Sequence, residues 1–162
     1  MVLEVNIMWN RKRSVKLSIA VCFIFVAILT ACLFFGPLAV KFWFGVYRGW
    51  NENGSAMKDM ITLFSTAFYP SSVFGYITLY CLLKLLFNIK NDKIFITSNV
   101  KYLRIISWCC FAVAIITFVG GIFYIPFSCI SVAAAFVGLM LRVVKNVMQN
   151  AVEIKQENEL TI

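Results

Sequence analysis

Residues 105–141 read IISWCCFAVAIITFVGGIFYIPFSCISVAAAFVGLML and hold no charged side chain. A helix of these 37 residues would run ~56 Å at ~1.5 Å per residue. A bilayer core is only ~30 Å thick, and about 20 apolar residues cross it. The run also contains Gly120-Gly121 and then Pro126, and glycine pairs and prolines turn or break helices. It therefore reads as two membrane helices joined by a tight apolar hairpin near residues 123–125. Pro126 suits the first turn of the second helix, where its missing N–H costs nothing.

Two further stretches, 17–40 and 60–83, are also free of charge and long enough for one crossing each. The three stretches make up more than half of the 162 residues. The chain is 62% hydrophobic and 14% charged, against about 45–50% and 25% in soluble domains. A soluble fold of this size would expose too much apolar surface. The expectation is an all-α integral membrane four-helix bundle forming a single domain. Its spans fall at about 17–40, 62–87, 101–123 and 126–145, followed by a tail at 146–162.

Charge placement sets the expected topology. Four spans put the N-terminus, the second loop and the C-terminus on one side. That side carries Arg11, Lys12, Arg13 and Lys16, then Lys84, Lys90, Lys93, Lys101 and Arg104, then Arg142, Lys145 and Lys155. The other side carries Lys41, Arg48 and Lys58. Twelve cations against three is a positive-inside pattern with both termini cytoplasmic. Phe42, Trp43, Tyr47 and Trp50 form an interfacial aromatic belt at the outer end of the first helix. Residues 29–32 (Leu-Thr-Ala-Cys) fit a lipoprotein cleavage box, but the apolar run continues to Val40, so an uncut span is expected.

The net charge of +8 is thus a topology signal, and no direct nucleic-acid contact is expected. The chain has no histidine, which removes imidazole metal ligands and Ser-His or Cys-His nucleophile pairs. The apolar stretches hold no Asp or Glu, so the facing carboxylates of a membrane aspartyl protease are absent. There is no Gly-x-x-x-x-Gly-Lys phosphate loop. No enzyme, cofactor or metal site is expected. Cys22, Cys32, Cys81, Cys109, Cys110 and Cys129 lie in apolar sequence without metal-like spacing and read as buried free thiols.

Within the second helix Ser72, Tyr76, Tyr80 and Lys84 recur every fourth residue. They are the candidate polar face of the bundle: a polar path or cleft, or else interhelical hydrogen bonding with Lys84 snorkelling, which is the common use of such residues. Ser71 and Gly75 make a small-x-x-x-small pair beside it. Ser131, Ala134, Ala135 and Gly138 form a small-residue face on the fourth helix, for packing in the bundle or against a second copy. The outer loop contains Asn53-Gly54-Ser55, a turn and a glycosylation sequon in form.

The second loop is basic. Ser98 or Asn99 can cap the third helix, which then aligns Val100, Leu103 and Ile106. Beyond Arg142, Val144, Val147, Met148, Ala151 and Val152 follow helical spacing, opposite Asn146, Gln149, Asn150 and Glu153. This amphipathic extension ends in Glu157-Asn158-Glu159-Leu160-Thr161-Ile162. An acidic end suits an anionic membrane surface poorly. Docking of a cytoplasmic protein, or contact with Lys90 and Lys93, fits it better. Lys90, Lys93, Asn99, Arg104, Glu157, Asn158, Glu159 and Leu160 are the candidate partner-binding residues.

Two segments carry a family resemblance: Phe95-x-x-x-Asn99-Val100-Lys101-x-Leu103-Arg104, and residues 151–162 with their Glu-Asn-Glu-Leu-Thr-Ile end. They resemble an uncharacterised bacterial family of small four-helix integral membrane proteins, a domain of unknown function. The resemblance covers most of residues 60–162 in layout. It implies an inner-membrane location and no established activity. Members are often encoded beside a small helix-turn-helix regulator, which implies a partner of that kind. The resulting expectation is a non-enzymatic membrane partner or sensor for a cytoplasmic regulator. The alternative is a small transporter, channel or immunity factor, which at 18.4 kDa would work as a homo-oligomer.

Overall fold

The computed structural model describes residues 2–48 and 54–160, with the side chains of 13–46, 54–55 and 57–158. The side chains of Tyr47 and Trp50 in the aromatic belt, and Asn53 of the sequon, lie outside that set. Four helices follow one another: α1 (Val2–Arg48), α2 (Ser55–Lys90), α3 (Thr97–Gly121) and α4 (Ile125–Leu160). All four are long and apolar enough to cross a membrane, and the described residues include no strand. Pro37 and Pro70 sit inside α1 and α2 without ending them.

The hairpin inside the 37-residue run falls at residues 122–124. The Gly120 carbonyl accepts from the N–H groups of both Phe123 and Tyr124, each at 3.1 Å. Phe127 N–H then donates to the Tyr124 carbonyl at 3.0 Å, which starts α4 with Pro126 in its first turn. Gly121 packs against Ser128 so closely that a Cβ would stand 2.9 Å from the Ser128 backbone nitrogen. Only glycine permits this approach.

Packing is serial. α1 packs on α2, α2 on α3 and α3 on α4, and among the described residues no close backbone approach joins α1 to α3 or α4. Lipid tails are as apolar as leucine, so helix association in a membrane depends on close packing and interhelical hydrogen bonds. The α3–α4 pair shows both. Ser107 donates to the Gly138 carbonyl at 2.8 Å, and Ser131 donates to the Ala114 carbonyl at 2.7 Å. A Cβ on Gly138 would lie 3.3 Å from Cys110 Cβ. The small-residue face of α4 is therefore the α3 contact.

α1 meets the rest of the molecule again at the hairpin end. The Phe44 ring stands edge-on to Tyr124 of the turn at 6.1 Å. Val40, Phe44 and Met57 form a buried cluster there, with Phe64 and Tyr124 against it. The opposite end of the molecule carries the α2–α3 turn and the α4 extension, and most of the cations.

Candidate functional site

The basic end is built around one asparagine. α2 closes at Asn91, and the next residue, Asp92, has φ 58°. This left-handed residue allows a Schellman closure. Lys93 N–H donates to the Asn88 carbonyl at 2.9 Å, and Asp92 N–H donates to the Ile89 carbonyl at 3.1 Å. Glycine or asparagine is usual at such a position, and aspartate tolerates it because its short side chain bonds locally.

Asn99 is 0% exposed. Its amide donates to the carbonyls of Lys93 at 2.9 Å and Ile94 at 2.7 Å, and its oxygen accepts from Asn88 at 2.8 Å. The expected cap takes a different form: α3 begins at Thr97 after Ile96, with no side-chain cap. The Asn99 side chain faces back into the turn, where it supplies the Lys93 carbonyl with a donor and adds a second one to the Ile94 carbonyl, which also accepts from the Ile96 N–H at 3.2 Å. Its burial makes it a brace of the turn, while Lys90, Lys93 and Arg104 are exposed. Val100, Leu103 and Ile106 are buried.

α4 continues past Arg142 without a break. The antiparallel register sets Ser107 opposite Gly138 and Ala114 opposite Ser131. By that register Met148 lies opposite Thr97, the first residue of α3, so Val152 stands about one helical turn beyond it, at the end that carries the α2–α3 turn. Val152 is 6% exposed, so the extension packs back onto the protein. Its apolar residues divide into two sets. Met148 and Ala151 are half-buried beside Val152, whereas Val144 and Val147 are exposed. Glu157 and Asn158 are exposed, while the side chains of Glu159 and Leu160 lie outside the described residues. Gln149 donates to Glu153 at 3.0 Å along the helix.

The candidate polar face of α2 does not stay on one side of the helix. Ser72 is buried and donates to the Tyr69 carbonyl at 2.7 Å. The Tyr76 hydroxyl lies 2.8 Å from the Thr30 hydroxyl on α1. Thr30 gives its only proton to the Val26 carbonyl at 2.8 Å, so Tyr76 is the donor. Tyr80 is 60% exposed, and the exposed Lys84 stands over its ring at 5.7 Å. Gly75 faces α1, where a Cβ would lie 3.3 Å from Leu29.

Sequence reading missed Asn88, Thr30 and Ser107, whose partners lie on neighbouring helices. It also missed the reach of Arg142, whose guanidinium stands 5.4 Å from the Trp108 ring and 5.9 Å from Phe111. Helical side chains slant toward the N-terminus, so Arg142 is drawn toward the apolar centre, onto rings that attract a cation. Among the described residues no group of three or more Cys, Asp or Glu side chains could hold a metal ion.

Four apolar helices packed in series define a small multi-pass membrane protein. The chain belongs to the family described as protein of unknown function (DUF2975), whose model matches residues 45–162. It is similar to an uncharacterized membrane protein, YoaS, of Bacillus subtilis strain 168. The two are 25% identical over 166 residues, covering 94% of this chain and 99% of that protein. No solved structure matches the chain.

Proposed function

We propose that the protein is a non-enzymatic membrane partner that holds a cytoplasmic regulator at its basic end. The observation that carries this reading is the α4 extension. It is one continuous helix through Leu160, seated by Val152 and presenting Glu153, Glu157 and Asn158 outward. An ordered helical surface of this kind suits protein recognition. Exposed Lys90 and Lys93 on the adjacent turn add the opposite charge, which favours specific orientation of a partner. A small helix-turn-helix protein is the first candidate, on the family resemblance. The absence of histidine from the chain and of acidic residues from the apolar stretches supports a non-catalytic role. The cytoplasmic assignment of this end rests on the twelve cations against three.

The transporter, channel or immunity reading has less support. It needs a shared polar face, and Tyr76 spends its proton on Thr30 while Tyr80 and Lys84 are exposed.

The test is crosslinking in native membranes with full-length protein and with a chain ending at Asn146. Partner capture should be lost on truncation while membrane insertion is retained. Identical partners for the two chains would refute the reading.

A further inference from the structure

We propose that the groove between α1 and α2 at the basic end is a binding site for an anionic phospholipid. The two helices are close toward the hairpin end. A Cβ on Gly36 would lie 3.3 Å from the Phe64 ring, and one on Gly75 would lie 3.3 Å from Leu29. Toward the basic end, larger side chains occupy the facing positions and leave a cavity of about 680 Å³. This is within the range of about 300–1,000 Å³ typical of ligand pockets.

The wall chemistry is graded along the groove. Val21 and Phe25 of α1 and Leu79, Leu82 and Leu86 of α2 line its body. Arg13, Ser14 and Ser18 stand at its outer rim, with exposed Lys16 one turn from Arg13. None of the ten lining residues is acidic. From Arg13 to Phe25 the helix rises ~18 Å, slightly more than half of the ~30 Å hydrocarbon core. The groove therefore spans about one leaflet, with its basic rim at headgroup level.

These features identify the occupant. Water in the apolar body would lack the two to four polar partners it needs. An empty space would forfeit the dispersion contacts of its whole lining. Acyl chains match the body, and a phosphate with net negative charge complements the positive charge of the rim, where the Ser18 hydroxyl donates to the Ser14 carbonyl at 3.1 Å. Basic pockets between membrane helices are suited to such headgroups. The site is independent of the α4 extension and of any protein partner.

The experiment uses the full-length protein in detergent, titrated with phosphatidylglycerol or phosphatidylcholine and read by native mass spectrometry. Phosphatidylglycerol should be retained in preference to phosphatidylcholine. One cation near a headgroup contributes about a fivefold change in affinity. Arg13→Gln should therefore weaken phosphatidylglycerol about fivefold, and Arg13→Gln with Lys16→Gln further. Lys90→Gln with Lys93→Gln should leave it unchanged. Equal retention of both lipids, or a loss confined to the Lys90/Lys93 variant, would overturn the site. A photoactivatable phosphatidylglycerol with its reactive group on the acyl chain tests the unmodified protein, should a variant misfold. Labels concentrated on Val21, Phe25, Leu79 and Leu82 support the groove, and labels spread evenly over α1 and α4 refute it.

Discussion

The carboxamide of Asn88 donates to that of Asn99 across 2.8 Å, tying the end of α2 to the start of α3. Asn88 also offers its carbonyl to the N–H of Lys93, and Asn99 gives its two amide protons to the carbonyls of Lys93 and Ile94. Two asparagines thus satisfy both the helix end and the loop that follows it. Lys90 and Lys93 are held on this frame, and the buried Val152 of α4 stands about one helical turn beyond the start of α3.

Removing the two asparagines should have unequal effects. Asn99→Ala leaves the Asn88 amide and the Lys93 carbonyl without this partner, while the Ile94 carbonyl keeps the Ile96 N–H; Asn88→Ala removes only one donor to Asn99. Orphaned buried polar groups cost about 1–3 kcal/mol each. Asn99→Ala should therefore lower unfolding stability in detergent more than Asn88→Ala. The double variant should lose less than the two losses added, because the residues share one network. Asn99→Asp should be worse than Asn99→Ala, because it sets a buried carboxylate against two carbonyls.

The Tyr76–Thr30 contact predicts an order that can be checked in the same assay. Tyr76→Phe removes the donor, and Thr30 keeps its own bond to Val26. Thr30→Val leaves the Tyr76 hydroxyl without an acceptor in the apolar interior. Membrane hydrogen bonds average about 0.6 kcal/mol and reach about 1.7. Tyr76→Phe should fall near the lower figure and Thr30→Val nearer the upper.

The parts of this fold legible in sequence are those set by local chemistry. Gly120-Gly121 and Pro126 mark the hairpin because their backbone limits act within a few residues. Helix count followed from runs of uncharged residues for the same reason. The polar face of α2 was less legible because a four-residue step overshoots a helical turn by about 40°. From Ser72 to Lys84 the drift totals about 120°, so Ser72 is buried, Tyr76 reaches α1, and Tyr80 and Lys84 are exposed. Asn99 could cap a helix or brace a turn. The choice depended on Asp92 taking a left-handed conformation, which sequence spacing does not encode.

Two glycines of similar appearance in sequence should respond in opposite ways. Gly121→Ala drives a Cβ into the Ser128 backbone, 2.9 Å from its nitrogen, and backbone cannot move aside cheaply. It should destabilise the α3–α4 hairpin by about 1–3 kcal/mol, as overpacking does. A Cβ on Gly45 meets nothing within 4 Å, and alanine is a better helix former by about 1 kcal/mol. Gly45→Ala should leave stability unchanged or raise it. Thermal unfolding of the two purified variants separates these outcomes.

Val152→Asp separates the seating of the α4 extension from its sequence. Val152 is 6% exposed, although the neighbouring residues Glu153 and Ile154 are exposed. A carboxylate there must leave its contact to be solvated, while the helix backbone beyond Arg142 can persist. Protease cleavage after Lys145 or Lys155 should become several-fold faster, with helical content nearly unchanged by circular dichroism. Val147→Asp, at a position that is 65% exposed, should leave cleavage at the wild-type rate. If the extension presents a docking surface, Val152→Asp should also reduce partner capture without removing any outward-facing residue. Unchanged cleavage in Val152→Asp would mean that the extension is not held against the α2–α3 turn.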